Sequence, residues 1–400
     1  MNRNKSPRLR FAGFAGEWEE KTLGEFGKVE MCRRIFKEQT QPNGEIPFFK
    51  IGTFGQEPDA FISRELFEEY RQKYPYPKKG DILISAAGTI GRTVEFHGED
   101  AYFQDSNIVW LRFDESQITA SFLNLAYQNI QWDLEGSTIK RLYNSDLLSA
   151  EISLPCEPEQ TALGDFFRRL DETLAQARAR LAKTQQLKRA MLAKLFPAHG
   201  ETAPKLRFKG FSGDWERKML GEVVEIVGGG TPDTSNPDYW NGDIDWYSPS
   251  EIGETVYANQ SVRKITALGL QKSSATMLPA NQTVLFTSRA SIGDMAILTK
   301  DGATNQGFQS FIVGEELDVY FLYSMELKIK DFALKNASGS TFLEVSKNTL
   351  AKMEFLAPNK EEQTAIGNFF QKLDQTLALQ SAALEKLTNL KKALLAAMLV

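Results

Sequence analysis

Two stretches of the chain keep apolar residues on a three-to-four spacing far longer than any other. The first covers residues 159–195, with Phe167, Leu170, Leu174, Ala177, Leu181, Met191 and Leu195 in the apolar positions. The second covers 362–399, with Phe370, Leu373, Leu377, Leu384, Leu387, Leu394 and Met398. Neither contains a proline, and the one glycine in each, Gly164 and Gly367, lies near its start. A seam of this period predicts a long helix that asks for a partner helix. The nearest partner is the other seam. Arg178, Arg180, Lys183 and Lys188 fall on the polar side and read as a solvated face. Roughly 37 residues at ~1.5 Å each make a rod of about 55 Å.

Ahead of each seam the pattern shortens. Strand-like runs at 82–85, 108–113, 283–287 and 308–313 are divided by Gly and Pro. A helical run follows at 121–134 and again at 319–334, and a last strand leads to Pro155 and Pro358. This mixture predicts an α+β class.

The two halves are also one text written twice. "RLRFAGFAGEWEEKTLGE" from Arg8 returns as "KLRFKGFSGDWERKMLGE" from Lys205, aligning Phe11 with Phe208, Trp18 with Trp215 and Gly24 with Gly221. "EQTALGDFFRRLDETLAQ" from Glu159 returns as "EQTAIGNFFQKLDQTLAL" from Glu362. Fainter echoes link "DILISAAGTIGRT" from Asp81 to "TVLFTSRASIGDM" from Thr283, and "GST" at Gly136 to "GST" at Gly339. The spacing stays near 200 residues, far too long for a solenoid. The pattern predicts a tandem duplication of a globular α/β domain with a long helix. The segments are 1–155, a helix and linker at 156–203, a second domain at 204–358, and a helix at 359–400. Two helices of equal length pairing antiparallel as a coiled coil would give the chain pseudo-two-fold symmetry.

The interiors of the copies differ much more than their flanks. "EMCRRIFKEQTQPNGEIPFFKIGTF" in the first bears little relation to "EIVGGGTPDTSNPDYWNGDIDWYSPSEI" in the second. A kept frame with changed interior is what two readers of different targets would show. Drift in surface loops is the bland alternative.

Composition narrows the function. The chain has 400 residues, is 42% hydrophobic and 25% charged, and carries a net charge of -5. A whole-chain basic footprint for nucleic acid is therefore absent, so any such surface must be local or shared with a partner. Two cysteines, Cys32 and Cys156, rule out a disulfide framework and suit a reducing cytoplasm. With two histidines there is no zinc finger and no metal centre is expected. The basic start has no apolar run behind it, so no signal peptide is expected, and no stretch approaches a membrane span.

The ordered set "W…LGE" twice, "GGGTPDTSNPDYWNGDIDWYSPSEI", "ATNQGFQSF", "GST" twice and "EQTAxGxFFxxLD" twice resembles the specificity subunit of type I restriction-modification systems. The resemblance covers nearly the whole chain. It implies that each globular domain is a target-recognition domain reading one half of a bipartite site in double-stranded DNA. The helices would serve as spacer and as dock for two copies of a DNA adenine methyltransferase subunit, and a restriction (nuclease-translocase) subunit could join. S-adenosylmethionine would sit on the methyltransferase, leaving this chain without cofactor or chemistry of its own. The first half departs from the pattern. It lacks the "GGTP…YWNG" opening and has "QDSN" at residues 104–107 in place of "NQG".

The residues give little support to an enzyme. "NPDYW" at Asn236 is similar to the NPPY loop of amino-methyltransferases, but Asp238 replaces the second proline, so a turn before a strand is the better reading. No phosphate-binding GxxxxGK[ST] loop is present. "GGGTP" at Gly228 precedes no helix with a lysine and reads as a turn.

Base edges are read by Arg, Lys, Asn and Gln, with phosphate contacts holding the register. The candidates in the first domain are Arg33, Arg34, Lys50, Arg92, Lys140 and Arg141. In the second they are Lys264, Lys272, Arg289, Gln306 and Gln309, with Arg92 and Arg289 in matching loops. A solvated surface charge is the alternative for each. The "GST" segments read as helix starts able to hold a phosphate or simply to cap. The acidic total predicts weak DNA binding by the chain alone. A protein-interaction scaffold built on the same rod is the rival reading.

Overall fold

The computed structural model describes residues 6–132, 140–339 and 343–400. The first "GST", at 136–138, lies wholly outside the described residues, and the second, at 339–341, lies outside them but for Gly339. The chain forms two compact units. The first comprises Met1–Arg178 with Ala383–Val400, and the second Ala179–Ala382. Each unit therefore takes the first part of one long helix and the last part of the other, rather than dividing where the sequence changes period.

The first unit holds a four-stranded antiparallel sheet in the order Gly27–Glu30, Ile108–Phe113, Ile82–Ser85, Thr93–Glu95. A three-stranded sheet of Phe61–Ile62, Ile46–Phe49 and Tyr102–Phe103 carries a parallel edge. The second unit repeats the plan with Val224–Gly228, Gln309–Val313, Thr283–Phe286 and Met295–Leu298, and adds Tyr257–Ala258 as a fifth, parallel strand. Its three-stranded sheet is Arg263–Ile265, Trp240–Tyr247 and Gly302–Thr304. The fold is α+β as the periodicity predicts. The run at 121–134 is a shorter helix, Ala120–Asn129, and that at 319–334 is two, Val319–Ser324 and Glu326–Asn336. A side-chain cap starts the first two, from Thr119 and from Asp318.

The repeated words of the sequence build the frame. Glu19–Thr22 pairs with Glu151–Leu154, and Glu216–Met219 pairs with Glu354–Ala357 in the same register. Trp18 and Trp215 are buried beside Phe122 and Phe321. Arg10 forks onto Glu159 through Nε and Nη2, both at 2.6 Å, and Arg207 forks onto Glu362 at 2.7 and 2.6 Å. The glutamates are 1% exposed and the arginines 17% in both copies. The pairing holds both guanidiniums above their ordinary pKa. The neighbouring Gln160 and Gln363 each accept from a backbone N–H (Thr119, Asp318) and donate to the carbonyl of the proline five residues before, Pro155 or Pro358. A Cβ on Gly164 would lie 2.2 Å from Ser121 Oγ, and one on Gly367 2.4 Å from Asp318 Oδ1. The "EQTAxG" signature thus locks the start of each long helix against its own domain.

The long helices span Glu157–Leu195 and Lys360–Met398. In the first unit the start of one lies against the end of the other, with Asp171 Oδ1 2.6 Å from Lys391 Nζ. In the second unit Lys188 Nζ is 2.5 Å from Asp374 Oδ1. Both pairings are antiparallel, and each is the other's counterpart in the repeat. Lys188 is therefore not part of a solvated face. Phe167, Leu170 and Leu394 join one core, which also takes Met398. Met191, Phe370 and Leu373 join the other, where Phe370 stacks on Phe196. Leu174 is buried, and Leu181, Leu377, Leu384 and Leu387 are half-buried.

Candidate nucleic-acid interface

In the second unit five segments meet where the large sheet ends. Gly230 N–H donates to Thr304 O at 2.8 Å, and Trp246 Nε1 donates to Gly230 O at 2.9 Å. Asn305 N–H donates to Tyr247 O at 3.0 Å, and Ser288 N–H to Gly307 O at 2.8 Å. Val345 N–H closes the set on Ser288 O at 3.0 Å. A Cβ on Gly229 would fall 2.0 Å from Asn305 O, and one on Gly307 2.6 Å from Pro249 Cγ. The glycines of "GGGTP" and "NQG" are there because backbones pass at contact distance. "NPDYW" is a single 3-10 turn, Pro237–Tyr239, running into the strand Trp240–Tyr247.

The same ladder stands in the first unit. Gln104 N–H donates to Phe49 O at 2.9 Å, Ala86 N–H to Asn107 O at 2.8 Å, and Leu142 N–H to Ala86 O at 2.9 Å. The side chains on this ladder are charged. Arg34 Nε meets Asp105 Oδ2 at 2.9 Å. Arg141 Nη2 donates to Ser106 O at 2.8 Å. Lys50 pairs with Asp59 at 2.8 Å, and Arg92 Nη1 donates to Phe54 O at 2.8 Å. Arg34 and Arg141 thus bind the 104–107 loop, Lys50 stands between Phe49 and Ile51, which bond it through Gln104, and Arg92 lies against Phe54 instead. Lys140 is exposed beside them with no partner among the described residues. Arg33 turns away to lie over the Tyr74 ring, 5.4 Å from its centroid.

The second unit gathers fewer charges. Gln306 accepts from Thr231 Oγ1. Gln309 is half-buried, and its Oε1 has no partner among the described residues. Lys272 is exposed at the end of the helix Ala267–Gln271, two residues from Ser274, which packs on Gly230. Lys264 holds the buried Asp245 at 2.8 Å. Burial pushes the Asp245 carboxyl up, but hydrogen bonds from Lys264 and Ser261 outweigh it and hold the group below the usual range.

Arg92 and Arg289 share a turn but not a position in it. Ser85 Oγ accepts from Arg92 N–H, and Thr287 Oγ1 accepts from Asp294 N–H, each at 2.9 Å. The counterpart of Arg92 is therefore Asp294, which binds Lys330 at 2.8 Å. Arg289 stands earlier in the turn, opposite Glu344 and before Ala290, whose φ is 64°.

Sequence reasoning passed over Asp105, Arg263 and the cross-helix pairs. Arg263 lies 3.7 Å above the Trp240 ring, which no local pattern signals. The cross-helix pairs were findable: Asp171 with Lys188 repeats as Asp374 with Lys391. Among the described residues no group of three or more His, Cys, Asp or Glu is placed to hold a metal ion. Burial pushes the Cys32 thiol up to about 12, so it is no nucleophile. No described helix is long and apolar enough to cross a membrane.

The profile of the type I restriction modification DNA specificity domain matches twice, over residues 15–186 and 212–389. A Haemophilus influenzae chain that carries a provisional type I restriction enzyme specificity subunit name, S.HindORF215P, is 54% identical over 158 residues, 38% of this chain and 41% of that one. The type I restriction enzyme MjaIX specificity subunit of Methanocaldococcus jannaschii is 35% identical over 181 residues, 44% and 42% of the two chains. The matched stretches thus span less than half the length of these relatives. The type I restriction-modification system S subunit from M. genitalium shares the fold, with a TM-score of 0.66 over 99% of both chains at 18% identity. With its domain profile found twice along most of its length, this chain belongs to the type I restriction modification DNA specificity family.

Proposed function

We propose that this chain is the sequence-reading subunit of a DNA-modification complex. Each unit would read one half of a bipartite duplex site, and the helix pair would set the gap between halves and dock two methyltransferase subunits. The observation that carries this reading is the pairing of an unchanged frame with two different loop faces on the same backbone ladder. A chain that bound one partner twice would have no reason to keep the ladder and change every side chain on it.

The face in the first unit is Arg34, Lys50, Arg92, Lys140 and Arg141. In the second it is Lys272, Arg289, Gln306 and Gln309. Arg33 and Lys264 fit a supporting part, because the first lies on Tyr74 and the second holds Asp245. The chain supplies the address, and the methyl transfer, with its S-adenosylmethionine, belongs to the partner subunit in the cytoplasm. A nuclease subunit can join the same assembly.

Mapping N6-methyladenine in cells expressing this chain with its companion methyltransferase tests the proposal. A two-part motif with a fixed gap, lost when the chain is deleted, is expected. Methylation independent of the chain would overturn it and favour the scaffold reading. Inserting four residues after Lys183 lengthens that helix by ~6 Å. The gap is then expected to change while both half-sites stay the same.

A further inference from the structure

The two recognition faces differ most sharply at one matched position. Counting seven residues on from the first residue of the first sheet strand gives Arg34 from Gly27 in one unit and Thr231 from Val224 in the other. Those strand starts pair with equivalent residues, Phe113 and Val313. The residue following the ladder amide of Gln104 is Asp105, and the one following Asn305 is Gln306. These four form the same cross-loop contact. It is Arg34–Asp105 in the first unit and Thr231–Gln306 in the second. An ion pair in one copy is a hydroxyl–amide pair in the other, between ladder bonds that match although the 104–107 loop is one residue longer.

We infer that Arg34 is a specificity-determining residue that reads a guanine in the half-site of the first unit, and that Asp105 positions it. The inference rests on the proposed DNA-reading function. Asp105 binds Nε and leaves both Nη groups without a partner among the described residues. The side chain is 58% exposed while its carboxylate is 18% exposed, so the fork is tied at its root and open at its tip. Two parallel N–H donors in a fixed plane match guanine O6 and N7, and no other base edge in the major groove offers two acceptors in that way. Tying the root lowers the rotamer freedom that binding would otherwise remove.

The loop beneath is itself held in an uncommon shape. Ser106 has φ 50°, in the left-handed region that a serine seldom adopts. Arg141 clasps its carbonyl at 2.8 Å, Gln104 Oε1 accepts from Ile51 N–H at 2.8 Å, and Ala86 holds Asn107. Strain kept by this many bonds marks a segment whose exact placing matters. What that placing fixes is the Asp105 carboxylate, and through it the fork of Arg34. Phosphate contacts carry no sequence information directly, so a fork held this firmly gains most where it meets a base edge.

Methylation maps of cells expressing the full chain with its companion methyltransferase decide the matter, comparing wild type with Arg34→Ala, Arg34→Lys and Asp105→Asn. For Arg34→Ala we expect one guanine of one half-site to become degenerate, with discrimination falling roughly ten-fold or more there. The other half-site and the gap should be unchanged. Arg34→Lys keeps the charge but loses the fork, so it should relax the same position. Asp105→Asn should relax it less. If the Arg34→Ala chain does not assemble, the Arg34→Lys map decides alone. A uniform fall across all sites with the motif intact would make Arg34 a phosphate contact and overturn the assignment. So would a motif that Arg34→Lys leaves untouched, or a change at a base other than guanine. A wild-type map without a chain-dependent bipartite motif would instead bring down the proposed function itself.

Discussion

The two units agree in their frame and disagree on their faces. Arg10–Glu159 and Arg207–Glu362 have the same partners, nearly the same distances and the same burial. Around the loop ladders, the first unit carries Arg34–Asp105, Lys50–Asp59 and the Arg141 clasp, where the second carries Thr231–Gln306 and close-packed glycines. The contrast teaches which repeated residues are mechanical. What recurs in both copies is what docks a long helix on its domain. The candidate reading side chains all lie among the residues that differ. Recurrence therefore marks the frame, and the proposed reading face is sought where the copies differ.

The frame is where the comparison can be broken with the largest effect. Removing either arginine leaves a carboxylate that is 1% exposed without its charge partner. Breaking such a buried pair costs about 3–5 kcal/mol. Arg10→Ala and Arg207→Ala are expected to destabilise their own units by equal amounts, measured by urea unfolding with hydrogen exchange read separately in each unit. Unequal losses would show that the frames are alike in geometry but not in energy.

The second effect belongs to one face alone. Gly229→Ala puts a Cβ 2.0 Å from Asn305 O and 2.4 Å from Thr304 O. Both are backbone atoms and cannot swing aside, so the 305–309 loop must move. Overpacking of this kind costs about 1–3 kcal/mol. Faster amide exchange across 302–309, with the first unit unchanged, is expected. In the first unit the matching residue is Cys32, buried, where a side chain is already accommodated.

The helix pair sharpens the contrast in a third way, because its two ion pairs are matched in sequence and not in setting. Asp374 is 6% exposed and also accepts from Tyr320 Oη at 2.9 Å, whereas Asp171 is 44% exposed. Lys188→Met strands a buried carboxylate, at about 1–3 kcal/mol. Lys391→Met loosens an exposed pair worth about 0–1 kcal/mol. Thermal unfolding of the two variants should rank them in that order, and the reverse order would show that the pairs owe their strength to something other than burial.

Much of this was legible in the sequence, and what was not has a physical reason. The strands Ile82–Ser85 and Ile108–Phe113 stand where their apolar runs put them, because a buried central strand is mostly apolar. The long helices start two residues earlier than their seams, at Glu157 and Lys360, since the first turn needs no apolar face. The clustering of Arg34, Lys50 and Arg141 was not legible, because it depends on a loop meeting three distant segments. Lys188 looked solvated because its partner, Asp374, lies 186 positions away in sequence. Periodicity reports one face of a helix and is silent on what stands opposite it.

The smallest effect lies in the titration of two buried aspartates that shift in opposite directions. In the first unit burial raises the Asp81 carboxyl above its ordinary pKa, even though Lys78 N–H and Arg112 bind it. In the second, Asp245 is held below, because bonds from Lys264 and Ser261 outweigh its burial. An acid whose folded pKa is raised takes up its proton earlier in the folded state than in the unfolded one, so its unit gains stability as pH falls towards the ordinary carboxylate range. An acid whose folded pKa is lowered gives its full stabilisation above the unfolded value, about 3.9, and loses it as pH falls through the folded one. As pH falls towards the ordinary carboxylate range, Asp81→Asn should therefore remove a small acid-side gain from the first unit. Below about pH 4, Asp245→Asn should remove an acid-side loss from the second. Other carboxylates titrate over the same span, so each slope is taken as the difference between variant and parent in one unit. Slopes of the same sign in both would mean that a single influence, burial or hydrogen bonding, sets both groups.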